Sequence, residues 1–215
     1  MISSIKSIIN ENVLDKTVLV RADLNIPMSN GNISDQSRVE RVIPTINFLK
    51  SSGAKIVICS HLGRPNGKYD KNYTLKPLVE ILSNILETNV RFSKSCLGQK
   101  ALEIKTSLKA GEILLLENVR FHEEEINNSL SFAKKLSEGC DLFVNDAFSC
   151  SHRAHSSLHA ITNFLPSYSG IRLGEEIKAL TSVLSFPIKP VAALVGGAKI
   201  STKINIIEYL ITKMD

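Results

Sequence analysis

The chain has 215 residues, a net charge of +5 and 43% hydrophobic residues, which fits a folded protein and excludes a mainly disordered one. Its basic residues form no tail or stripe and only 6% of residues are aromatic, so the composition gives little support to a nucleic-acid-binding protein. The N-terminus lacks a signal-peptide core and no stretch approaches about 18 apolar residues, so we expect a cytoplasmic protein without a membrane-spanning helix.

Short apolar runs alternate with longer segments of helical periodicity, a pattern typical of βαβ units around a parallel sheet. The runs are apolar throughout, which indicates strands covered on both faces. The predicted strands are residues 17–21, 55–60, 89–92, 112–117, 141–145 and 191–195. The sequence therefore predicts an α/β fold with a three-layer α/β/α, Rossmann-like parallel sheet.

The helical segments carry recognisable start and stop signals. Ser34 or Asp35 is expected to cap the first helix and Thr74 the second, and Gly53 is expected to end the first. The predicted helices are residues 36–49, 75–86, 130–137, 175–184 and 201–214.

A domain boundary is predicted near the end of the chain. Residues 185–190 contain two prolines between a helical segment and a new apolar run, as a linker would. The strand and helix that follow cannot cover both faces of their own strand. We therefore expect residues 191–215 to be the first strand and helix of a second α/β domain.

Basic and polar side chains follow four of the predicted strands at the points where the strands end. They are Arg21, Asp23, Asn25, His61, Arg64, Asn118, Arg120, His122, Asp146, His152, Arg153 and His155, and Arg38 at the start of a helix can join them. Ligands of open α/β sheets bind beyond the carboxyl ends of the strands. A single arginine there is most often a solvated surface charge, but the agreement of four loops favours a basic site for a phosphorylated organic acid.

The segment Gly196-Gly197-Ala198-Lys199, with Lys203 in the next helix, is a second candidate for binding phosphate. It lacks the spacing of a Walker A loop, and an ordinary strand-to-helix turn is the alternative.

Other residue groups give no site. Cys150, His152 and His155 lack a fourth ligand and lie among arginines, so no metal site is predicted. The four cysteines form no C-x-x-C pair and are expected to be reduced, with Cys59 buried. Residues 123–125, three glutamates in a row, are expected to form a solvated acidic turn.

Five segments occur in the order, and at about the spacing, of the signature segments of phosphoglycerate kinases. They read VLVRADLNIP, HLGRP, LLLENVRFHEEE, FVNDAFSCSHRAHSS and VGGAKISTKI. The chain resembles that family over nearly its whole length. The resemblance implies a two-lobed enzyme that transfers a phosphoryl group reversibly between ATP and the carboxylate of 3-phosphoglycerate, giving 1,3-bisphosphoglycerate and ADP, in glycolysis and gluconeogenesis.

The resemblance also implies an organisation and a set of residue roles. Residues 1–170 would form the substrate-binding domain, 171–190 an interdomain helix and hinge linker, and 191–215 the start of the nucleotide-binding domain. The implied substrate-binding residues are Asp23, Asn25, Arg38, His61, Arg64, Arg120 and Arg153. The implied nucleotide-binding residues are Gly197, Ala198, Lys199 and Lys203. Arg38 and Lys203 would be catalytic, because they would stabilise the phosphoryl group in transit.

The chain ends at Asp215, about half of the family's usual length. The resemblance implies that Mg²⁺ accompanies ATP or ADP, with its ligand in the missing C-terminal part, and that the full-length protein is a monomer. The chain alone is expected to be inactive, and a phosphoglycerate-binding module without catalysis remains the alternative. Ser149, Cys150 and Thr202 replace the family's usual Gly, Thr and Asp.

Overall fold

Six parallel strands form the central sheet of the computed structural model, which describes residues 5–26, 28–29, 32–33, 35–185, 188–196 and 204–212. The strands of this sheet are β1 Thr17–Ala22, β4 Lys55–Cys59, β5 Val90–Ser93, β6 Ile113–Leu116, β7 Leu142–Asp146 and β8 Ser167–Ser169. Their order is β5-β6-β4-β1-β7-β8, and every pairing is parallel. The short strands β2, Met28–Ser29, and β3, Asn32–Ile33, pair with each other as an antiparallel hairpin.

The described part of the chain contains seven α-helices. They are α1 Ser37–Ser51, α2 Leu78–Leu86, α3 Gln99–Thr106, α4 Glu123–Ile126, α5 Leu130–Ser137, α6 Ile171–Ser185 and α7 Ile204–Ile211. Short 3-10 turns lie at Ile8–Asn10, Lys71–Tyr73, Val119–Phe121, Phe148–Cys150 and Ala160–Asn163.

The two faces of the sheet bury separate hydrophobic clusters. Val18 and Val20 of β1 lie in one cluster, which includes Leu49 of α1 and Leu82 of α2. Leu19, on the opposite face of the same strand, lies in a second cluster that includes residues of α5. Because successive side chains of a strand point to opposite faces, a strand that is apolar throughout needs helices on both sides. The structure thus confirms the predicted three-layer α/β/α fold.

The predicted stop signal of α1 is confirmed, whereas neither Asp35 nor Thr74 occupies the N-cap position of its helix. Asp35 Oδ1 accepts a hydrogen bond from the Ser37 amide, but the N-cap of α1 is Gln36, and Ser34 lies outside the described residues. Gly53, with φ +75°, follows the end of α1 as expected. Thr74 is not the N-cap of α2, which begins at Leu78 with Pro77 as its N-cap. The Thr74 hydroxyl accepts from the Lys76 amide (3.3 Å) and donates to the Glu117 carboxylate (2.6 Å).

The segment 191–195, predicted to be a strand, is not part of a strand in the described structure. A parallel strand needs a neighbour to complete its hydrogen bonds, and no described strand pairs with this segment. The helix expected to follow is present as α7, with its start and end inside the predicted range.

The chain divides into two units, one comprising Ser3–Gly174 and the other containing Glu175–Asp215. The division falls inside α6, so the predicted organisation into residues 1–170, 171–190 and 191–215 stays a prediction. Among the described helices, none combines the length and the apolar composition that a membrane-spanning helix requires.

Candidate active site

The strand order places a cavity at the carboxyl ends of the central strands. The chain passes from β1 to β4 on one side and later returns to the other side at β7, and such a reversal is where open α/β sheets bind ligands. The loops after β1, β4, β6 and β7 meet there around a cavity of about 250 Å³. It is lined by Asp23, Asn25, Arg38, His61, Gly63, Arg64, Arg120, Ser149, Cys150 and Arg153.

All seven residues that were predicted to bind the substrate line this cavity, although their roles remain predictions. The four residues assigned to the nucleotide, Gly197, Ala198, Lys199 and Lys203, lie outside the described residues. Among the other strand-end residues, Asn118 does not line the cavity. Its side-chain amide donates to the Leu62 carbonyl (2.8 Å) and the Tyr73 carbonyl (2.9 Å), and these bonds hold the chain segment after β4 in place.

Asp23 connects three of the elements that surround the cavity. Its Oδ2 accepts hydrogen bonds from Arg38 Nη1 and from Ser149 Oγ, each at 2.5 Å, and its Oδ1 accepts from the Asn25 amide at 3.2 Å. Arg38 comes from the first turn of α1 and Ser149 from the loop after β7. This one carboxylate therefore holds Arg38 at the edge of the cavity.

The loop after β4 is fixed by a glycine. Gly63 has φ +60°, its N–H donates to Asn25 Oδ1 (2.8 Å), and its carbonyl accepts from Arg120 Nη1 (2.8 Å). A Cβ atom at this position would overlap the ring of Tyr73. Only glycine combines this backbone conformation with such a close approach to the Tyr73 ring. The placement of Asn25 and Arg120 therefore depends on Gly63.

The cavity is strongly cationic. Arg38, Arg64, Arg120 and Arg153 line it, and its only acidic lining residue in the described structure is Asp23, which is paired with Arg38. Burial, followed by the charge of Arg153, lowers the pKa of Arg120 from its usual value, and the buried Arg120 Nε has no hydrogen-bond partner in the described structure. An anion in the cavity would offset the cost of the buried positive charge.

The two buried histidines near the cavity are neutral at physiological pH. Burial, followed by the charges of Arg21 and Arg120, lowers the pKa of His61 to about 2. Burial and the charge of Arg120 lower the pKa of His155 to about 4. A neutral imidazole can donate a hydrogen bond to an anion but adds no charge of its own.

The expectation of a solvated acidic turn at residues 123–125 is wrong for Glu125, which is fully buried. Its carboxylate accepts hydrogen bonds from the Ser157 amide (2.8 Å) and the Ser157 hydroxyl (2.6 Å), which satisfy both oxygens. Glu123 and Glu124 are exposed, as expected. The sequence gives no signal for this difference, because the partner of Glu125 lies 32 positions away along the chain.

Asp23, His61 and Cys150 bring one possible metal-ligand atom each to within 4.8 Å of one another. This group does not fit Mg²⁺, which prefers oxygen ligands, and its one carboxylate is paired with Arg38. The four cysteines are unbridged, and Cys59 is buried as predicted.

Known proteins are similar to this chain in sequence and in fold. A family model described as phosphoglycerate kinase matches residues 8–215. A curated phosphoglycerate kinase of Wolbachia pipientis subsp. Culex pipiens is 48% identical over 201 residues, covering 94% of this chain and 50% of that protein. One of Brucella melitensis is 46% identical over 204 residues, covering 95% and 52%. The chain thus spans about half the length of these relatives.

Solved structures agree. The phosphoglycerate kinase of Coxiella burnetii superposes with a TM-score of 0.90 at 38% identity, covering 99% of this chain and 53% of that one. That of Pyrococcus horikoshii OT3 gives a TM-score of 0.87 at 34% identity, covering 96% and 52%. With the family model matching almost every residue and the fold shared with two solved members, this chain belongs to the phosphoglycerate kinase family.

Proposed function

We propose that the cavity binds 3-phosphoglycerate or 1,3-bisphosphoglycerate, and that the protein transfers a phosphoryl group reversibly between ATP and the carboxylate of 3-phosphoglycerate. The observation that carries this proposal is the cavity of about 250 Å³ in which four arginines and His61 surround a single, already paired carboxylate. A ligand with a phosphate at one end and a carboxylate at the other suits guanidinium groups contributed by several different loops.

The chemistry needs no general base. The carboxylate of 3-phosphoglycerate is ionised at neutral pH, so one of its oxygens can form the new O–P bond directly while the bond from the γ-phosphorus to ADP breaks. The protein then has to hold the reactants in line and stabilise the charge of the phosphoryl group in transit. We propose these roles for Arg38 and Lys203.

We further propose that Gly197, Ala198, Lys199 and Lys203 contact the nucleotide, and that Mg²⁺ accompanies it. The proposed setting is glycolysis in the cytoplasm, with a monomeric full-length protein. Because the chain spans about half the length of its curated relatives, we propose that the 215-residue chain alone binds phosphoglycerate with little or no turnover.

Titration calorimetry on the 215-residue chain tests the proposal. We expect 3-phosphoglycerate to bind, and glycerate, which lacks the phosphate, to bind more weakly. Arg64→Ala and Arg153→Ala should each weaken binding about tenfold or more, because each removes a charge-assisted hydrogen bond worth about 1.5–3 kcal/mol. In a coupled kinase assay, the same preparation should show little turnover.

Arg91→Ala is the matched control. Arg91 is an arginine of β5 that lies outside the cavity, near Ser107 (3.0 Å) and Glu112 (3.5 Å). Its loss should leave the affinity for 3-phosphoglycerate unchanged. The proposal fails if the wild-type chain does not bind 3-phosphoglycerate, or if Arg91→Ala weakens binding as much as Arg64→Ala does.

A further inference from the structure

Arg21, the fifth residue of β1, is a fully buried arginine that does not line the cavity. Its guanidinium donates to three partners: Nη1 to the Ala22 carbonyl (2.5 Å), Nε to Ser157 Oγ (2.9 Å), and Nη2 to His61 Nδ1 (3.1 Å). Burying a charged side chain is costly even when it is hydrogen-bonded. The bond to His61 Nδ1 connects this buried arginine to a residue that lines the cavity.

The direction of the bond to His61 follows from chemistry. A guanidinium has five N–H donors and no acceptor, so His61 Nδ1 must be the acceptor. A neutral imidazole that accepts at Nδ1 carries its proton on Nε2. Burial and the nearby positive charges hold the pKa of His61 at about 2, so the ring is neutral. With Nδ1 engaged, Nε2–H is the polar group that His61 has left to offer a ligand.

Arg21 is itself held in place by Ser157, which is in turn bonded to Glu125. Ser157 Oγ accepts from Arg21 Nε and donates to Glu125 Oε1 (2.6 Å). Arg21, Ser157 and Glu125 are fully buried, and His61 is 3% exposed. The four side chains form one continuous row of hydrogen bonds that runs from Glu125 to the wall of the cavity.

We infer that Arg21 is a positioning residue that fixes His61 as the Nε2–H tautomer, so that the imidazole donates a hydrogen bond to the anion in the cavity. Ser157 and Glu125 hold Arg21 in place for this role. The inference rests on the proposed function for the identity of the anion, but not for the tautomer. It also explains why the Asp23, His61 and Cys150 group makes a poor metal site, since neither nitrogen of His61 has a free lone pair.

Nuclear magnetic resonance of the ligand-free chain tests the tautomer directly. Two-bond ¹H–¹⁵N correlations distinguish Nε2–H, Nδ1–H and imidazolium rings, and His61→Ala identifies the His61 signals among those of the five histidines. We expect the neutral Nε2–H form between pH 6 and pH 8. An Nδ1–H ring or an imidazolium would overturn the inference even if 3-phosphoglycerate binds as proposed.

A double-mutant cycle tests whether Arg21 acts through His61. We expect Arg21→Lys, which keeps the charge and loses the planar fork, to weaken 3-phosphoglycerate binding about tenfold in the wild-type background. In the His61→Ala background, the same change should weaken binding less than twofold, because the residue through which Arg21 acts is gone. Equal losses in the two backgrounds would show that Arg21 is only structural and would overturn the inference.

The failure of the proposed function would look different. If the wild-type chain does not bind 3-phosphoglycerate, the proposed function fails, while the ligand-free resonance experiment still decides the tautomer. If the Arg21→Lys chain does not fold, as judged by circular dichroism, the wild-type tautomer again decides the inference.

Discussion

His61 illustrates how burial and neighbouring charge together set the state of a single residue. The ring is buried and faces Arg21, and its folded pKa of about 2 lies far below the ordinary 6.5. A histidine with a depressed folded pKa stabilises the native state above the unfolded value of 6.5, and this stabilisation is lost as the pH falls towards the folded value. The burial and the neighbouring charges that keep His61 neutral therefore also make the fold sensitive to acid.

We predict that the free energy of unfolding falls as the pH is lowered from 6.5 to 4, because the unfolded chain binds a proton at position 61 that the native chain does not. Each such group contributes about 1.4 kcal/mol per pH unit. Urea unfolding at several pH values gives the slope of the free energy of unfolding against pH. In His61→Gln this slope should be shallower than in the wild type by about 1.4 kcal/mol per pH unit. The exposed His159, changed to Gln, is the control, and equal slopes in wild type and His61→Gln would contradict the prediction.

At the scale of elements, the start of α6 is fastened to the sheet by two buried side chains. Asp146, at the end of β7, accepts from the Leu173 amide (3.0 Å) and from the Thr45 hydroxyl (2.6 Å), and Thr45 Oγ1 accepts from the Ile171 amide (3.0 Å). A Cβ at Gly170 would overlap the Asp146 carboxylate. These bonds satisfy backbone N–H groups that a helix start leaves without partners.

We predict that Thr45→Val lowers the free energy of unfolding by about 2 kcal/mol, since it removes two hydrogen bonds and leaves a buried carboxylate oxygen without its donor. Amide exchange at Ile171 should become faster. Urea unfolding and hydrogen exchange measure the two effects. Thr106→Val, at an exposed position at the end of α3, should change stability by less than about 0.5 kcal/mol, and an equal loss in both variants would contradict the prediction.

The same contacts show why some elements could be predicted and others could not. The strands β1, β4, β6 and β7 are apolar runs, and each of their predicted ends differs from the structure by at most one residue. Helix α6 begins at Ile171, before residue 175, where the apolar pattern alone placed its start, because this start depends on Asp146 and Thr45, which are distant in sequence. The polar edge strand β8 and the short, mostly polar helix α3 lack a clear apolar pattern, so neither is predicted from the sequence.

In the candidate site too, residues with a local sequence signal could be predicted, and residues placed by distant partners could not. Apart from Arg38, which lies at the start of α1, the residues that line the cavity lie in the loops after β1, β4, β6 and β7. The sheet geometry and the family resemblance indicated seven of the lining residues, but not Gly63, Ser149 and Cys150. Glu125 and Ser157 support the site through bonds between residues 32 positions apart. Burial of a charged side chain at such a distance depends on the assembled fold and leaves no local pattern in the sequence.

At the scale of the whole molecule, the two units differ in how much they bury. The unit Ser3–Gly174 contains both hydrophobic clusters, whereas α7 in the other unit has no buried residue in the described structure. An isolated helix of eight residues is marginal in water without packing to support it. Amide hydrogen exchange should therefore be slow in the unit Ser3–Gly174 and fast in α7.

We predict that amides of β1 and β4 exchange only through global unfolding of their unit, whereas those of α7 exchange by fast local opening. Saturation with 3-phosphoglycerate at about 100 times its dissociation constant should stabilise the unit that binds it by about 2.7 kcal/mol and slow exchange in β1 and β4 about a hundredfold. Arg153→Ala, tested at the same concentration, should show a smaller slowing. Mass spectrometry measures these rates, and α7 amides as protected as those of β4 in the ligand-free chain would contradict the prediction.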